Sequence, residues 1–253
     1  MAPVDGFNAT TSLPDLHRLD PAIRHRMGIA MVDAIVALGS VDYAARGLGD
    51  LGRIEGYLER QVQRWRTLLE SYREYRGWAG PAGLPGVDAI GRWLEAERPV
   101  AFVPGIIHGD FHLANVMFRH DCGEVAALVD WELCTIGDPL LDLGWLLATW
   151  PDERGRSTVE FRVDPWEGFA TAEELIERYE HRSGRDLSDI RWYSVLACYK
   201  LALILEGTHA RACAGKATPA AGDRLHKHAL ALLERASQWI ESKGGSGAPS
   251  MPG

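Results

Sequence analysis

The chain has 253 residues, of which 46% are hydrophobic and 25% charged, so it can bury a sizeable core. Its formal net charge of −8 excludes the basic surface of a protein that binds nucleic acid or anionic lipid. The four cysteines form no C-x-x-C pair, and the apolar tracts are interrupted by charges before they reach membrane-spanning length. We therefore expect a cytoplasmic protein without disulfides, a cysteine-rich zinc cage, or a nucleic-acid or membrane partner.

The first part of the chain is predicted to be mainly helical. Residues 1–19 contain Pro3, Gly6 and Pro14 and no helical periodicity, which predicts an irregular or extended segment. Asp20 followed by Pro21 is typical of a helix start. Apolar residues then recur at helical spacing. The predicted helices cover residues 21–38, 54–76 and 87–97.

The middle of the chain changes to the pattern of short strands. Two apolar runs, residues 115–118 and 125–129, predict a β-hairpin. Helices are expected again over 138–149, 171–183, 188–212 and 219–240, and Thr171 with Glu174 forms a candidate capping box at the second of these. The tail from residue 243 is of low complexity and is predicted to be disordered.

Three polar residues at the start of this strand-rich region carry the chemical signal. His108, Asp110 and Asn115 have the spacing H-x-D-x4-N of a protein-kinase catalytic loop, with Gly109 where such loops usually carry Arg. An Asp in this position can orient a hydroxyl and accept its proton, and an Asn five residues later can offer an oxygen to a magnesium ion. The predicted hairpin brings Asp130 to the same place as a second metal ligand.

Nearby motifs have simpler interpretations. His108 and His112 lack the intervening Glu of a zinc-protease helix, so His108 is predicted to support the loop backbone and His112 to face solvent or substrate. Asp138 is predicted to cap the following helix and Asp142 to reach back to the catalytic loop, in preference to binding metal.

Two glycine-containing stretches partly match the motifs of phosphate-binding loops. The glycines at 47, 49 and 52 fit G-x-G-x-x-G but follow no strand, and the stretch 210–217, ARACAGKA, lacks the first glycine and the final hydroxyl of a Walker A loop. We interpret both as ordinary segments.

The motifs HGDFHLAN, VDWE and GDPLLDL together resemble the aminoglycoside phosphotransferase family, whose fold is protein-kinase-like. Residues 49–65 are most similar to the branch related to the kinase-like domain of multidomain acyl-CoA dehydrogenases. The resemblance implies an α+β, predominantly α-helical fold, with 1–19 as a hinge-like segment and 20–242 as the large, C-terminal lobe. It also implies Asp110 as catalytic base and Asn115 with Asp130 as ligands of Mg²⁺ on the phosphates of ATP.

The family's small lobe, with its glycine loop, Lys and Glu, has no counterpart in this sequence, and MAPVDGF resembles the hinge that would follow it. We therefore expect the isolated chain to be weakly active or inactive as an ATP-dependent phosphotransferase acting on a small-molecule hydroxyl, such as that of a hydroxyacyl-CoA or an aminoglycoside-like acceptor. The alternative is a non-catalytic binding or scaffold remnant of the same fold. An oligomer or a partner chain is expected to cover the exposed hinge face.

Overall fold

The computed structural model describes residues 3–159 and 162–242. Eight α-helices and five short strands lie in these two ranges, which confirms the predominantly helical α+β prediction. The backbone divides into two compact units. The first contains residues 3–54 and 102–190, and the second contains 55–101 and 191–242. No helix among the described residues is both long and apolar enough to cross a membrane.

The first unit is built from helices and two small antiparallel sheets. Strand β1 (Phe7–Asn8) pairs with β3 (Val116–Phe118), which pairs with β4 (Val125–Leu128). Strand β2 (Gly105–Ile107) pairs with β5 (Thr135–Gly137). The helices are α1 (Asp15–Leu19), α2 (Pro21–Gly39), α5 (Leu140–Thr149) and α6 (Ala172–Ser183). The pairing of β3 with β4 confirms the predicted β-hairpin.

Helix α2 starts where the sequence predicts. The side chain of Asp20 accepts a hydrogen bond from the backbone nitrogen of Ala22 (2.8 Å), and Pro21 occupies the first helical position. Met27, Met31 and Ile35 repeat every four residues and are almost completely buried. They form the apolar stripe through which α2 contributes to the core of the first unit.

The second unit is helical throughout its described elements. Helix α3 (Glu59–Ser71), α4 (Val87–Ala96), α7 (Ile190–Cys213, from residue 191 onward) and α8 (Pro219–Glu241) surround a core of large apolar side chains. Buried polar tips in this core have partners: Tyr72 donates its hydroxyl to the carbonyl of Leu203 (3.1 Å), and Trp192 donates its indole N–H to that of Leu94 (2.9 Å).

Two predicted segments differ from the structure. The segment predicted to be irregular or extended contains a helix, because 15–19 form α1, whereas β1 at 7–8 is extended as predicted. The helix predicted over 54–76 begins only at Glu59, with a short 3₁₀ turn at 72–74 following it. Gly56 explains the late start, since its φ of +61° is left-handed and interrupts a right-handed helix. The tail predicted to be disordered, 243–253, lies outside the described residues.

Candidate active site

The catalytic-loop segment leaves the end of β2 and is held by a buried carboxylate. Asp142 on α5 is 1% exposed, and its two oxygens accept hydrogen bonds from the backbone nitrogens of His108 (2.7 Å) and Gly109 (2.9 Å). Hydrogen bonds to an ionised acceptor in a buried site are among the stronger ones in proteins. The backbone just before Asp110 is therefore fixed by a residue of α5.

Gly109 has a conformation that favours glycine. Its φ is +82°, and a Cβ atom placed on it would lie 2.4 Å from the carbonyl oxygen of Leu133. An arginine, the usual residue here in protein kinases, would meet both the strained φ and this backbone contact. The close approach of two backbone segments thus explains the departure from the usual motif.

His108 is fully buried and connects two segments of the site. Its Nε2 lies 2.8 Å from the carbonyl oxygen of Val129, so Nε2 carries the proton and donates it. Its ring lies 5.0 Å from that of Trp131 and edge-on to Phe111 at 6.0 Å. His108 therefore ties the catalytic loop to the residues on either side of Asp130.

Asp110 and Asn115 are in direct contact. The side-chain nitrogen of Asn115 donates to the carboxylate oxygen Oδ2 of Asp110 (3.1 Å) and to its backbone oxygen (2.9 Å). Asn115 is buried, whereas the side chain of Asp110 keeps 26% exposure. This arrangement orients the carboxylate while leaving it accessible, and it turns the amide so that the oxygen of Asn115 faces away from Asp110.

His112 contributes more closely than the sequence suggested. Its Nε2 lies 3.3 Å from Oδ1 of Asp110, and its side chain is only 12% exposed. The sequence alone is compatible with a His112 that faces solvent or one that faces the substrate. The H-x-D-x-H spacing at 108–112 was the available signal, because alternate residues of an extended loop bring two side chains to the same side.

Asp130 follows β4 at the end of the hairpin. The backbone nitrogen of Val129 donates to the carbonyl oxygen of Asn115 (3.0 Å), so Asp130 is one residue beyond the position facing Asn115. Its φ of 66° and ψ of 64° are left-handed, and among the described residues it is the only non-glycine with positive φ. Such backbone conformations cluster at functional sites, and Asp130 is exposed.

Asp138 lies at the start of α5. It is 3% exposed, and its Oδ1 accepts a hydrogen bond from the backbone nitrogen of Leu140 (3.0 Å). The helix begins at Leu140 rather than at 138, and Pro139 occupies the position before it. Nearby, burial and the negative charge of Asp142 raise the pKa of Cys134, which keeps this thiol protonated.

The site thus has one accessible carboxylate oriented by an amide and an imidazole, and a second carboxylate and an amide oxygen at the hairpin. Carboxylate and amide oxygens are the hard ligands that Mg²⁺ prefers, so Asn115 and Asp130 fit that ion by their chemistry. Asp110, His112 and Asn115 are brought together directly, while His108, Asp138 and Asp142 lie behind them in buried positions.

Curated relatives match most of this chain, but it covers a minor part of each. Acyl-CoA dehydrogenase family member 10 of Mus musculus is 29% identical over 94% of this chain and 22% of its own length. Family member 11 of Rattus norvegicus is 31% identical over 76% of this chain and 24% of its own length. The chain therefore spans about a quarter of the length of these relatives.

Solved structures share the fold. A Ralstonia eutropha JMP134 protein assigned as an aminoglycoside phosphotransferase is 29% identical, with a TM-score of 0.74 over 94% of this chain and 71% of that one. A choline kinase of Cryptosporidium parvum shares the fold alone, at 10% identity and a TM-score of 0.58 over 95% of this chain and 69% of that one. The predicted protein-kinase-like fold is confirmed.

A sequence profile of the phosphotransferase enzyme family matches residues 5–193, about three quarters of the chain, and includes every residue of the site described above. The predicted relationship to the acyl-CoA dehydrogenase branch is confirmed as well. The chain belongs to the phosphotransferase enzyme family, in a branch similar to the kinase-like domain of acyl-CoA dehydrogenase family members 10 and 11.

Proposed function

We propose that this chain provides the large-lobe half of an ATP-dependent phosphotransferase that acts on a hydroxyl group of a small molecule. The contact between Asp110 and Asn115 carries the proposal. An accessible carboxylate held at 3.1 Å by the amide of Asn115, in a loop fixed by Asp142, is what a base that must receive a hydroxyl proton requires. Membership of the phosphotransferase family supports the same reaction class.

Asp110 acts first in the proposed mechanism. Its carboxylate accepts a hydrogen bond from the acceptor hydroxyl and aims the oxygen at the γ-phosphorus. The acceptor oxygen then forms a bond to phosphorus while the bond from phosphorus to the β-γ bridging oxygen breaks, so ADP leaves and the hydroxyl proton passes to Asp110. His112, 3.3 Å from the same carboxylate, helps to fix its orientation.

Asn115 and Asp130 have the second role. We assign to them the binding of Mg²⁺, which when bound neutralises negative charge on the nucleotide phosphates. Asp130 is exposed at the end of the hairpin, where a phosphate-bound ion can reach it, and the amide oxygen of buried Asn115 is the second ligand that we assign.

The relatives indicate which acceptors to test. Two of them carry the name acyl-CoA dehydrogenase, which favours a hydroxyacyl-CoA, and the Ralstonia protein's assignment favours an aminoglycoside-like acceptor. We propose the hydroxyacyl-CoA as the first acceptor, because its support comes from relatives in the same branch.

The activity test requires the phosphate-binding elements of a small lobe in addition to this chain. A glycine loop and a Lys–Glu pair must also grip the phosphates, so we expect the 253-residue chain by itself to form ADP slowly or not at all. Fused to the small lobe of a family member, it should form ADP in the presence of a hydroxyacyl-CoA. Asp110→Asn should then lower kcat by about 10²- to 10⁴-fold with little change in KM.

Asp223→Asn is the matched control, because Asp223 is an exposed carboxylate on α8 in the second unit. It should leave kcat unchanged. Two outcomes would contradict the proposal. One is binding of the acceptor by the fused protein without turnover, which would favour the non-catalytic binding module. The other is turnover that survives Asp110→Asn.

A further inference from the structure

A second cluster of metal-ligating side chains lies in the helical unit, outside the site described above. Glu206, His209 and Cys213 follow one another at positions i, i+3 and i+7 of α7, so they share one face of that helix. His226 comes from α8. One ligand atom each from Glu206, His209 and His226 lies within 4.8 Å of the other two.

Glu206 is oriented by two neighbours. It is 1% exposed; its Oε1 accepts a hydrogen bond from the indole N–H of Trp78 (2.7 Å), and its Oε2 lies 2.7 Å from Nδ1 of His226. A buried carboxylate held in this way matches the oriented ligands of metal sites, whose geometry depends on hydrogen bonds from a surrounding layer. The same contacts alone could serve a purely structural hydrogen-bond network.

His209 is the residue that such a network does not explain. Its Nδ1 is enclosed and has no hydrogen-bond partner among the described residues, and its Nε2 lies 3.6 Å from the weakly bonding Sγ of Cys213. Its ring stacks on that of His226 at 4.3 Å between centroids. A neutral imidazole with its proton on one nitrogen keeps a lone pair on the other, so Nε2 of His209 is available to bind an ion.

The distance between two of these atoms fits a tetrahedral ion. With bonds of about 2.0 Å to nitrogen and 2.3 Å to sulfur, a tetrahedral zinc ion holds N and S about 3.5 Å apart. His209 Nε2 and Cys213 Sγ are separated by 3.6 Å. Imidazole and thiolate ligands favour Zn²⁺ over Mg²⁺, so the cluster differs in its chemistry from the oxygen ligands at Asn115 and Asp130.

We propose that Glu206, His209 and His226 bind a transition-metal ion, with Zn²⁺ as the preferred ion. Cys213 lies outside this group of three, 3.6 Å from His209, and becomes the fourth ligand when its exposed side chain turns toward the ion. Binding releases the thiol proton of Cys213 and the proton shared by His226 and Glu206, and the ion takes their place. Four protein ligands make the site structural rather than catalytic. The ion then joins the last two turns of α7 to the second turn of α8.

The test is a cobalt titration of the full chain, prepared without a histidine tag, stripped with chelator and carrying Asp130→Asn to weaken the other metal site. We expect one equivalent of Co²⁺ to bind with the visible absorption of a tetrahedral ion, Zn²⁺ to displace it, and Zn²⁺ to raise the Tm. His209→Ala and His226→Ala should each weaken binding at least about tenfold.

His228→Ala is the matched control, because it removes an imidazole two positions further along α8. This variant should bind cobalt as the parent chain does. Cys213→Ser should retain the ion but lose the sulfur-to-cobalt charge-transfer band. Far-UV circular dichroism establishes that each variant is folded. A parent chain that binds no cobalt, or one whose cobalt spectrum survives His209→Ala, overturns the proposal without bearing on the phosphotransferase assignment.

Discussion

Asp142 holds the backbone at the start of the loop 108–115 without belonging to that loop. It is buried on α5, and both of its oxygens are used by consecutive backbone N–H groups, those of His108 and Gly109. A pair of N–H groups pointing at one carboxylate leaves the loop a single orientation. The position of Asp110 is therefore a consequence of a residue more than thirty positions later in the chain.

Asp142→Asn should destabilise the protein. An asparagine offers one acceptor oxygen and one donor NH₂ group, so one of the two backbone N–H groups would face a donor in a buried place. We expect the free energy of unfolding in urea to fall by about 1–3 kcal/mol. Asp223→Asn, at an exposed position, should change it by less than about 0.5 kcal/mol. Equal effects of the two substitutions would show that Asp142 does not hold the loop.

At the scale of elements, α6 is started by a complete capping box. Thr171 accepts a hydrogen bond from the backbone nitrogen of Glu174 (3.2 Å), and the Glu174 carboxylate accepts one from the backbone nitrogen of Thr171 (2.8 Å). The backbone hydrogen bond from Thr171 is the largest cause that lowers the pKa of Glu174. Two backbone N–H groups that the helix cannot pair are satisfied at once.

Thr171→Ala should lower the free energy of unfolding by about 1 kcal/mol, because it removes the acceptor for the Glu174 backbone nitrogen. Thr171→Ser keeps a hydroxyl at the same place and should recover most of that loss. The free energies of unfolding of the two variants are measured in urea under the same conditions. Equal values for alanine and serine would show that the Thr171 hydroxyl does not stabilise the helix.

Helices α2 and α6 and the hairpin of β3 and β4 are also linked by charge. Asp33 on α2 accepts hydrogen bonds from Arg178 on α6 (2.9 and 3.0 Å) and from Arg26 (3.0 Å), and Arg26 in turn binds Glu124 just before β4 (2.6 and 2.9 Å). Partial burial opposes ionisation of Asp33, but the hydrogen bonds from Arg178 and Arg26 outweigh it and lower the pKa of this carboxyl. The hairpin that carries Asp130 is thereby connected to two helices.

This linkage predicts an acid-sensitive stability. Because the folded-state pKa of Asp33 lies below its unfolded value of about 4, its stabilisation is complete above that value and is lost as the pH falls through the folded-state pKa. Asp33→Asn should cost about 1 kcal/mol at pH 7, a modest figure because the pairs are partly solvated. Urea midpoints between pH 7 and pH 3 should fall less steeply for Asp33→Asn than for the parent chain; parallel slopes would contradict the assignment.

At the scale of the whole molecule, the chain builds its two compact units from alternating segments. Residues 55–101 and 191–242 form one unit although about ninety residues of the other separate them. Contacts between such distant segments carry a high loop-closure cost, and a single sequence does not state them. The sequence predicted what local chemistry determines: helix starts at Asp20 and Thr171 and the hairpin after Asn115.

Three features that depend on the folded conformation were not predicted from the sequence. Strand β1 is two residues long and exists because it pairs with β3, more than a hundred residues later. The cluster at Glu206 was not predicted, because its residues come from two helices. The spacing of the cysteines in the sequence therefore gives no sign of it. The H-x-D-x-H spacing is a sequence signal that Asp110 and His112 share one side of the loop, but their 3.3 Å contact depends on the loop conformation.

The left-handed backbone at Asp130 has an evolutionary consequence. Aspartate and asparagine tolerate this conformation better than other residues with side chains. A single base change converts an aspartate codon to an asparagine codon, and Asp130→Asn would remove the proposed metal-binding charge with little conformational cost. The proposed activity can therefore be lost by one base change while the fold is kept, so one substitution separates the proposed enzyme from a binding protein of the same fold.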